Sequence, residues 1–162
     1  MARVLVLGYG NRLRTDDGLG WQVAVELFRT NTSPEVEVLP CHQLTPDLAE
    51  AVSFAETVIF IDCTQDGKPG ELCHEELYSR SGSTSFTHDL SPSTLLALAA
   101  ELFGVCPRAY LVSICGECYD PGETLSATVS SRVPELTAMV RGLIQDALSK
   151  STVGSSPRAL VS

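Results

Sequence analysis

No apolar run in this chain approaches the ~20 residues needed to cross a bilayer, and Met1-Ala2-Arg3 leads into a short strand without a secretory pattern. A cytoplasmic location without a membrane partner is therefore expected. Cations are scarce too, with 11 Lys and Arg against 20 Asp and Glu and a formal net charge of -9. That balance lacks the clustered cations of a nucleic-acid surface and suits a basic or neutral partner segment. The chain contains no internal repeat and no linker dividing domains. Its 6 cysteines, in a reducing compartment, are expected as free thiols rather than a disulfide framework.

What is present suffices for one compact domain. The chain has 162 residues, of which 44% are hydrophobic, enough to bury a substantial core. Residues 1–149 are expected to form that domain and 150–162 a flexible tail, with a monomer as the default assembly. Val4 to Leu7 and Val58 to Ile61 are continuous apolar runs of the kind found in strands covered on both faces. Strands are expected over 3–8, 35–39, 57–63 and 109–115, with a short antiparallel or edge strand over 70–77. Leu19, Val23 and Leu27 recur at helical spacing, predicting a helix from about 18 to 30. Thr45-Pro46 and Ser91-Pro92 each offer a cap followed by proline at the first helical position, and the second helix reaches Gly104. A last helical region opens near Ser126, with Pro134 marking a kink or break before a helix to about Ser149. Alternating strands and helices predict a three-layer α/β sandwich, with helices on both faces of a mainly parallel twisted sheet of about five strands.

The least ordinary chemistry lies between the first strand and first helix, in Gly8-Tyr9-Gly10-Asn11-Arg12-Leu13-Arg14-Thr15-Asp16-Asp17-Gly18. Capping by Thr15, Asp16 or Asp17 is the plain alternative to a functional role, although it does not account for both acids. A dinucleotide site is disfavoured, because Leu13 stands where the fingerprint needs a small residue and two carboxylates would repel a pyrophosphate. Asp17, Asp62 at the end of the third strand and His88 in the polar 79–90 loop can converge at the carboxyl edge of the sheet. Two carboxylates and an imidazole form a credible shell for nickel, zinc or a similar ion. Against this stand a surface acid for Asp62 and an ordinary loop histidine for His88. Cys115 and Cys118 have metal or redox spacing but lack further ligands. Cys41-His42 and Cys73-His74 are neighbours on strands, facing opposite sides, and neither forms a ready dyad. Cys63 is expected only to pack.

Gly8-Tyr9-Gly10-Asn11-x-Leu13-x-x-Asp16-Asp17-Gly18-x-Gly20 resembles the signature of the hydrogenase maturation endopeptidases. The likeness continues through Ile59-Phe60-Ile61-Asp62, Thr87-His88-Asp89-Leu90 and Gly122-Glu123-Thr124-Leu125-Ser126. It implies a cytoplasmic hydrolase, aspartic-type or metal-assisted, that removes a C-terminal extension from the nickel-loaded precursor of a nickel-iron hydrogenase large subunit. It further implies Asp17, Asp62 and His88 as the nickel-binding and catalytic set, with nickel supplied by the precursor. Pro40-Cys41-His42-Gln43 departs from the family's frequent Asp and Gly-rich turn, and Asp17 replaces the Glu of some relatives. A non-cleaving nickel-dependent chaperone for the same precursor and a nucleotide-binding α/β module are the rival readings.

Overall fold

The computed structural model describes residues 2–79 and 90–150. Five strands, β1 (Val4–Tyr9), β2 (Val36–Cys41), β3 (Thr57–Thr64), β4 (Leu72–Leu77) and β5 (Arg108–Cys115), form one sheet in the order β2-β1-β3-β5-β4. The first four strands in that order run parallel, whereas β4 pairs antiparallel with β5 at the far edge. Helices α1 (Leu19–Thr30), α2 (Leu48–Phe54), α3 (Pro92–Phe103), α4 (Ala127–Ser130) and α5 (Val133–Lys150) complete the expected α/β sandwich.

Alternation along each strand divides the core in two. Val4, Val6, Ile59, Ile61, Val112 and Ile114 pack with α1, α4 and α5, while Leu5, Leu7, Val58, Phe60 and Ala109 pack with α2 and α3. Covering both faces explains why these strands read as unbroken apolar runs. It also places β1 at a switch point, because β2 lies on one side of β1 and β3 on the other. Chain connections diverge there and leave a crevice beyond the carboxyl ends of β1 and β3.

Close backbone packing fixes the crevice wall. A Cβ on Gly20 would overlap the carbonyl oxygens of Tyr9 and Ile61, so the start of α1 sits directly against the ends of β1 and β3. At α3 the expected termini are present: Ser91 Oγ accepts from Thr94 N at 3.1 Å, Pro92 opens the helix, and Gly104 closes it at φ 69°.

Three local expectations differ from the structure. Thr45 and Pro46 form a turn instead of beginning α2, whose first residue is Leu48; their carbonyls accept from Leu48 N and Ala49 N. β2 continues through Pro40 to Cys41, since an edge strand tolerates a residue without an N–H. Pro134 is neither kink nor break. It occupies the second position of α5, where no intrahelical donor is required, and the break precedes it at Ser131-Arg132. The region expected as a tail, beyond Lys150 at the end of α5, lies outside the described residues, as do 80–89 of the expected loop. Among the described residues, no helix is long and apolar enough to cross a membrane.

Candidate active site at the carboxyl edge of the sheet

Beyond β1 the chain folds back on itself. Gly10 has φ 150°, and a Cβ there would overlap the Asp17 carbonyl oxygen, so glycine alone allows the loop to close over the turn that follows. That turn, Thr15–Gly18, is a single 3-10 turn leading into α1. Thr15 enters it at φ 48°, uncommon for a β-branched residue, and is pinned by its N–H to Gly122 O at 2.9 Å and its hydroxyl to Asp120 O.

Asp16 and Asp17 have separate roles, and neither caps a helix. No side chain caps the 3-10 turn or α1. Asp16, fully buried, accepts from Glu117 N, Cys118 N and Ser126 N at 2.8, 2.9 and 2.8 Å, and from Ser126 Oγ at 2.8 Å. Burial is the largest single influence on its carboxyl and acts upward, but these hydrogen bonds together outweigh it and hold the pKa below the ordinary value. Asp16 is thus an ionised anchor that ties the 3-10 turn to the loop between β5 and α4.

Asp17 instead turns toward the crevice. Its Oδ2 accepts from Asn11 N at 2.9 Å, while Oδ1 has no hydrogen-bond partner among the described residues. Asp62 reaches the same place from β3. Its Oδ1 accepts from Cys63 N at 2.7 Å and its Oδ2 from Tyr9 Oη at 3.1 Å. Burial pushes the Asp62 carboxyl up to about 6; the two hydrogen bonds oppose that rise and the negative charge of Asp17 adds to it. Burial and the charges of Asp62 and Asp17 also raise the Tyr9 pKa, keeping its hydroxyl protonated as a donor. Asp17, Asp62 and Tyr9 therefore share one electrostatic environment at the switch point.

The other sequence candidates separate. His88 lies outside the described residues. Leu90, where the described chain resumes, packs against the same core cluster as Tyr9. Among the described residues no three His, Cys, Asp or Glu side chains gather as a metal-binding group, which leaves Asp17 and Asp62 as a pair of oxygen donors. Such donors suit a divalent ion if a third ligand is added. Cys115 and Cys118 are free thiols directed to Gly116 O and Asp120 Oδ2, at 3.7 and 3.6 Å. Cys41 directs its thiol to Leu39 O at 3.5 Å, and His74 stacks on Tyr110 with ring centroids 6.1 Å apart; neither belongs to a Cys-His dyad. Cys63 does pack, but it also contacts Tyr119 Oη at 3.4 Å, and burial pushes its thiol up to about 12. Pro40-Cys41-His42-Gln43 stands at the same sheet edge, where Cys41 pairs with Tyr9.

Sequence reasoning missed Tyr9 as the partner of Asp62 and Asp16 as the loop anchor. The signal for Tyr9 is strand parity, since Tyr9 shares a face with Leu5 and Leu7, but using it requires the β1–β3 register. Asp16 bonds to residues about a hundred positions away, and no local pattern announces them.

The fold recurs in solved structures. No protein-family model and no curated protein matches the chain. Hydrogenase maturating endopeptidase HybD from E. coli is 25% identical with a TM-score of 0.72, covering 96% of this chain and 98% of that one. Maturation protease HycI from Thermococcus kodakarensis, 22% identical at TM-score 0.72 and covering 89% and 93%, shares the fold. A hydrogenase 2 maturation peptidase from a Thaumarchaeota archaeon is 30% identical with a TM-score of 0.64, covering 91% of this chain and 98% of its own. The chain belongs to the hydrogenase maturation endopeptidase family.

Proposed function

We propose that this protein is an endopeptidase that removes a C-terminal extension from the nickel-loaded precursor of a nickel-iron hydrogenase large subunit. The observation that carries this reading is the pairing of Asp17 and Asp62 at the switch point in a chain of this family. Asp17 Oδ1 is open, and Asp62 is held by a backbone amide and Tyr9, so both carboxylates can serve as oxygen ligands without rebuilding the loop. His88, outside the described residues, completes the set in this proposal.

In this account nickel is part of the substrate. The precursor brings it, and Asp17, Asp62 and His88 share its coordination with the precursor's own ligands. Recognition of metal and placement of the scissile peptide then become one event. A carboxyl with a pKa near 6 is largely ionised at neutral pH and able to accept a proton from attacking water, a role that suits Asp62. Hydrolysis adds that water across the peptide bond, leaving a new carboxylate on the large subunit and a free amine on the released extension.

Incubation of the loaded precursor with the protein in water enriched in oxygen-18 provides the test. The expected products are a shortened large subunit bearing one new oxygen-18 at its carboxyl terminus and a free C-terminal fragment, both identified by mass spectrometry. An intact precursor that remains bound one-to-one would replace this proposal with the non-cleaving chaperone.

A further inference from the structure

Among the described residues, the buried polar ones are Asp16, Thr57 and Ser113. Asp16 has its four hydrogen bonds, and Thr57 opens β3 at the amino edge of the sheet, away from the crevice. Ser113 differs from both. It is 4% exposed near the carboxyl end of β5, between the buried Val112 and Ile114, and its hydroxyl has no hydrogen-bond partner among the described residues. Withdrawing a hydroxyl from bulk water without a replacement partner is unfavourable, so such a group points to something that binds it. The hydroxyl is not walled in either. Among the described residues, the side-chain polar atom both sealed from solvent and unpartnered is Arg132 Nε.

Strand register sets this hydroxyl at the site. Ser113 pairs with Asp62 on one side and with Cys73 on the other. Residues paired across strands project to the same face, so Asp62, Ser113 and Cys73 form one row, with neighbouring strands about 5 Å apart. Tyr9 continues the row beyond Asp62 through its 3.1 Å hydrogen bond. Asp62 is half-buried and Cys73 exposed, so the crevice is open on both sides of Ser113. Just beneath the row, Phe60 and Leu111 close the core on the α2 and α3 face. Asp62 therefore has a hydroxyl on each side, in different states. Tyr9 donates to it, whereas Ser113 stands beside it uncommitted. No base accepts from Ser113 among the described residues, so it is not primed as a nucleophile. It is a free neutral donor next to the carboxylate that receives the proton of the attacking water.

We infer that Ser113 is a catalytic residue whose hydroxyl donates a hydrogen bond to the scissile carbonyl oxygen. The inference rests on the proposed endopeptidase reading. As water adds to the carbonyl carbon, one of its protons passes to Asp62 and the carbonyl π pair moves onto oxygen, where negative charge collects. Ser113 stabilises that charge while keeping its own proton and forming no covalent bond. The pair then restores the carbonyl as the C–N bond breaks, and the leaving amine takes the proton held by Asp62. A donor carried on a central strand is already in place when the charge develops, so little reorganisation is needed.

The experiment measures cleavage of the nickel-loaded precursor by the unaltered, Ser113→Ala and Ser113→Thr proteins, with urea unfolding of all three. Ser113→Ala is expected to lower kcat about a hundredfold with KM within about twofold, and Ser113→Thr, which keeps the hydroxyl, to hold kcat within about tenfold of the unaltered protein. The urea midpoint of Ser113→Ala is expected to equal or exceed that of the unaltered protein, because the hydroxyl removed has no protein partner to leave stranded. A lowered midpoint would assign the hydroxyl to folding and overturn the donor role. Unchanged kcat in Ser113→Ala, an equal fall in both variants, or a precursor fragment held covalently on Ser113 also overturns it and leaves the endopeptidase standing. Release of no fragment by the unaltered protein overturns the endopeptidase and the donor role together.

Discussion

Asp62 carries two opposing demands. Its partial burial brings it to the crevice, and the same burial raises its pKa from 3.8 to about 6, an electrostatic cost on the order of 3 kcal/mol once it is fully ionised. For an acid with a raised folded pKa, stability declines as pH rises from about 4 to about 6, and the whole cost is present above that window. Asp62→Asn is therefore expected to stabilise the metal-free protein by about 2 kcal/mol at pH 8, with the gain vanishing below about pH 4, while abolishing processing. Urea unfolding at both pH values checks this, and an unchanged stability at pH 8 counts against a strained carboxylate. Tyr9→Phe removes one of the two hydrogen bonds that oppose the rise. The acid limb of the processing pH profile is expected to move to higher pH in that variant. An unmoved limb would mean that Tyr9 has no influence on the reacting form of Asp62.

At the scale of elements, the site depends on a contact between segments remote in sequence. Asp16 joins the 3-10 turn to the loop before α4 through four hydrogen bonds, and Arg14 bridges to Gly122 beside it. Asp16→Ala leaves three part-buried backbone amides and the Ser126 hydroxyl without their acceptor and is expected to cost about 3 kcal/mol. Because its folded pKa is depressed, the contribution of Asp16 is complete above about pH 4 and is lost as pH falls through that lower value. Denaturation curves measure the total loss, and hydrogen exchange should place it first at residues 116–126. The sheet strands and α3 were legible from continuous apolar runs and from Ser91, Pro92 and Gly104. The start of α2 was not, because a Thr-Pro pair serves a turn as readily as a helix entry. The independence of Asp16 from Asp17 was equally hidden, since adjacent acids at a helix entry have the same local signature whether they cap, anchor or bind.

For the whole molecule, the order of the strands turns scattered residues into a site. Asp17 and Asp62 stand far apart in sequence and meet because β1 and β3 are neighbours at the point where the connections diverge. Alternating strands and helices made that architecture readable, and the Gly8-to-Gly20 motif with Asp62 made half of the site readable. The partners of those carboxylates emerge only from the register. The central claim is that this crevice reads the precursor's metal before the chain is cut. The most direct test is the intact mass of one precursor, nickel-loaded and nickel-free, after incubation with the unaltered protein and with Asp62→Ala. Loss of the C-terminal fragment only from the loaded precursor, and only with the unaltered protein, is the expected result. Equal cleavage of the nickel-free precursor, or undiminished cleavage by Asp62→Ala, would contradict the account.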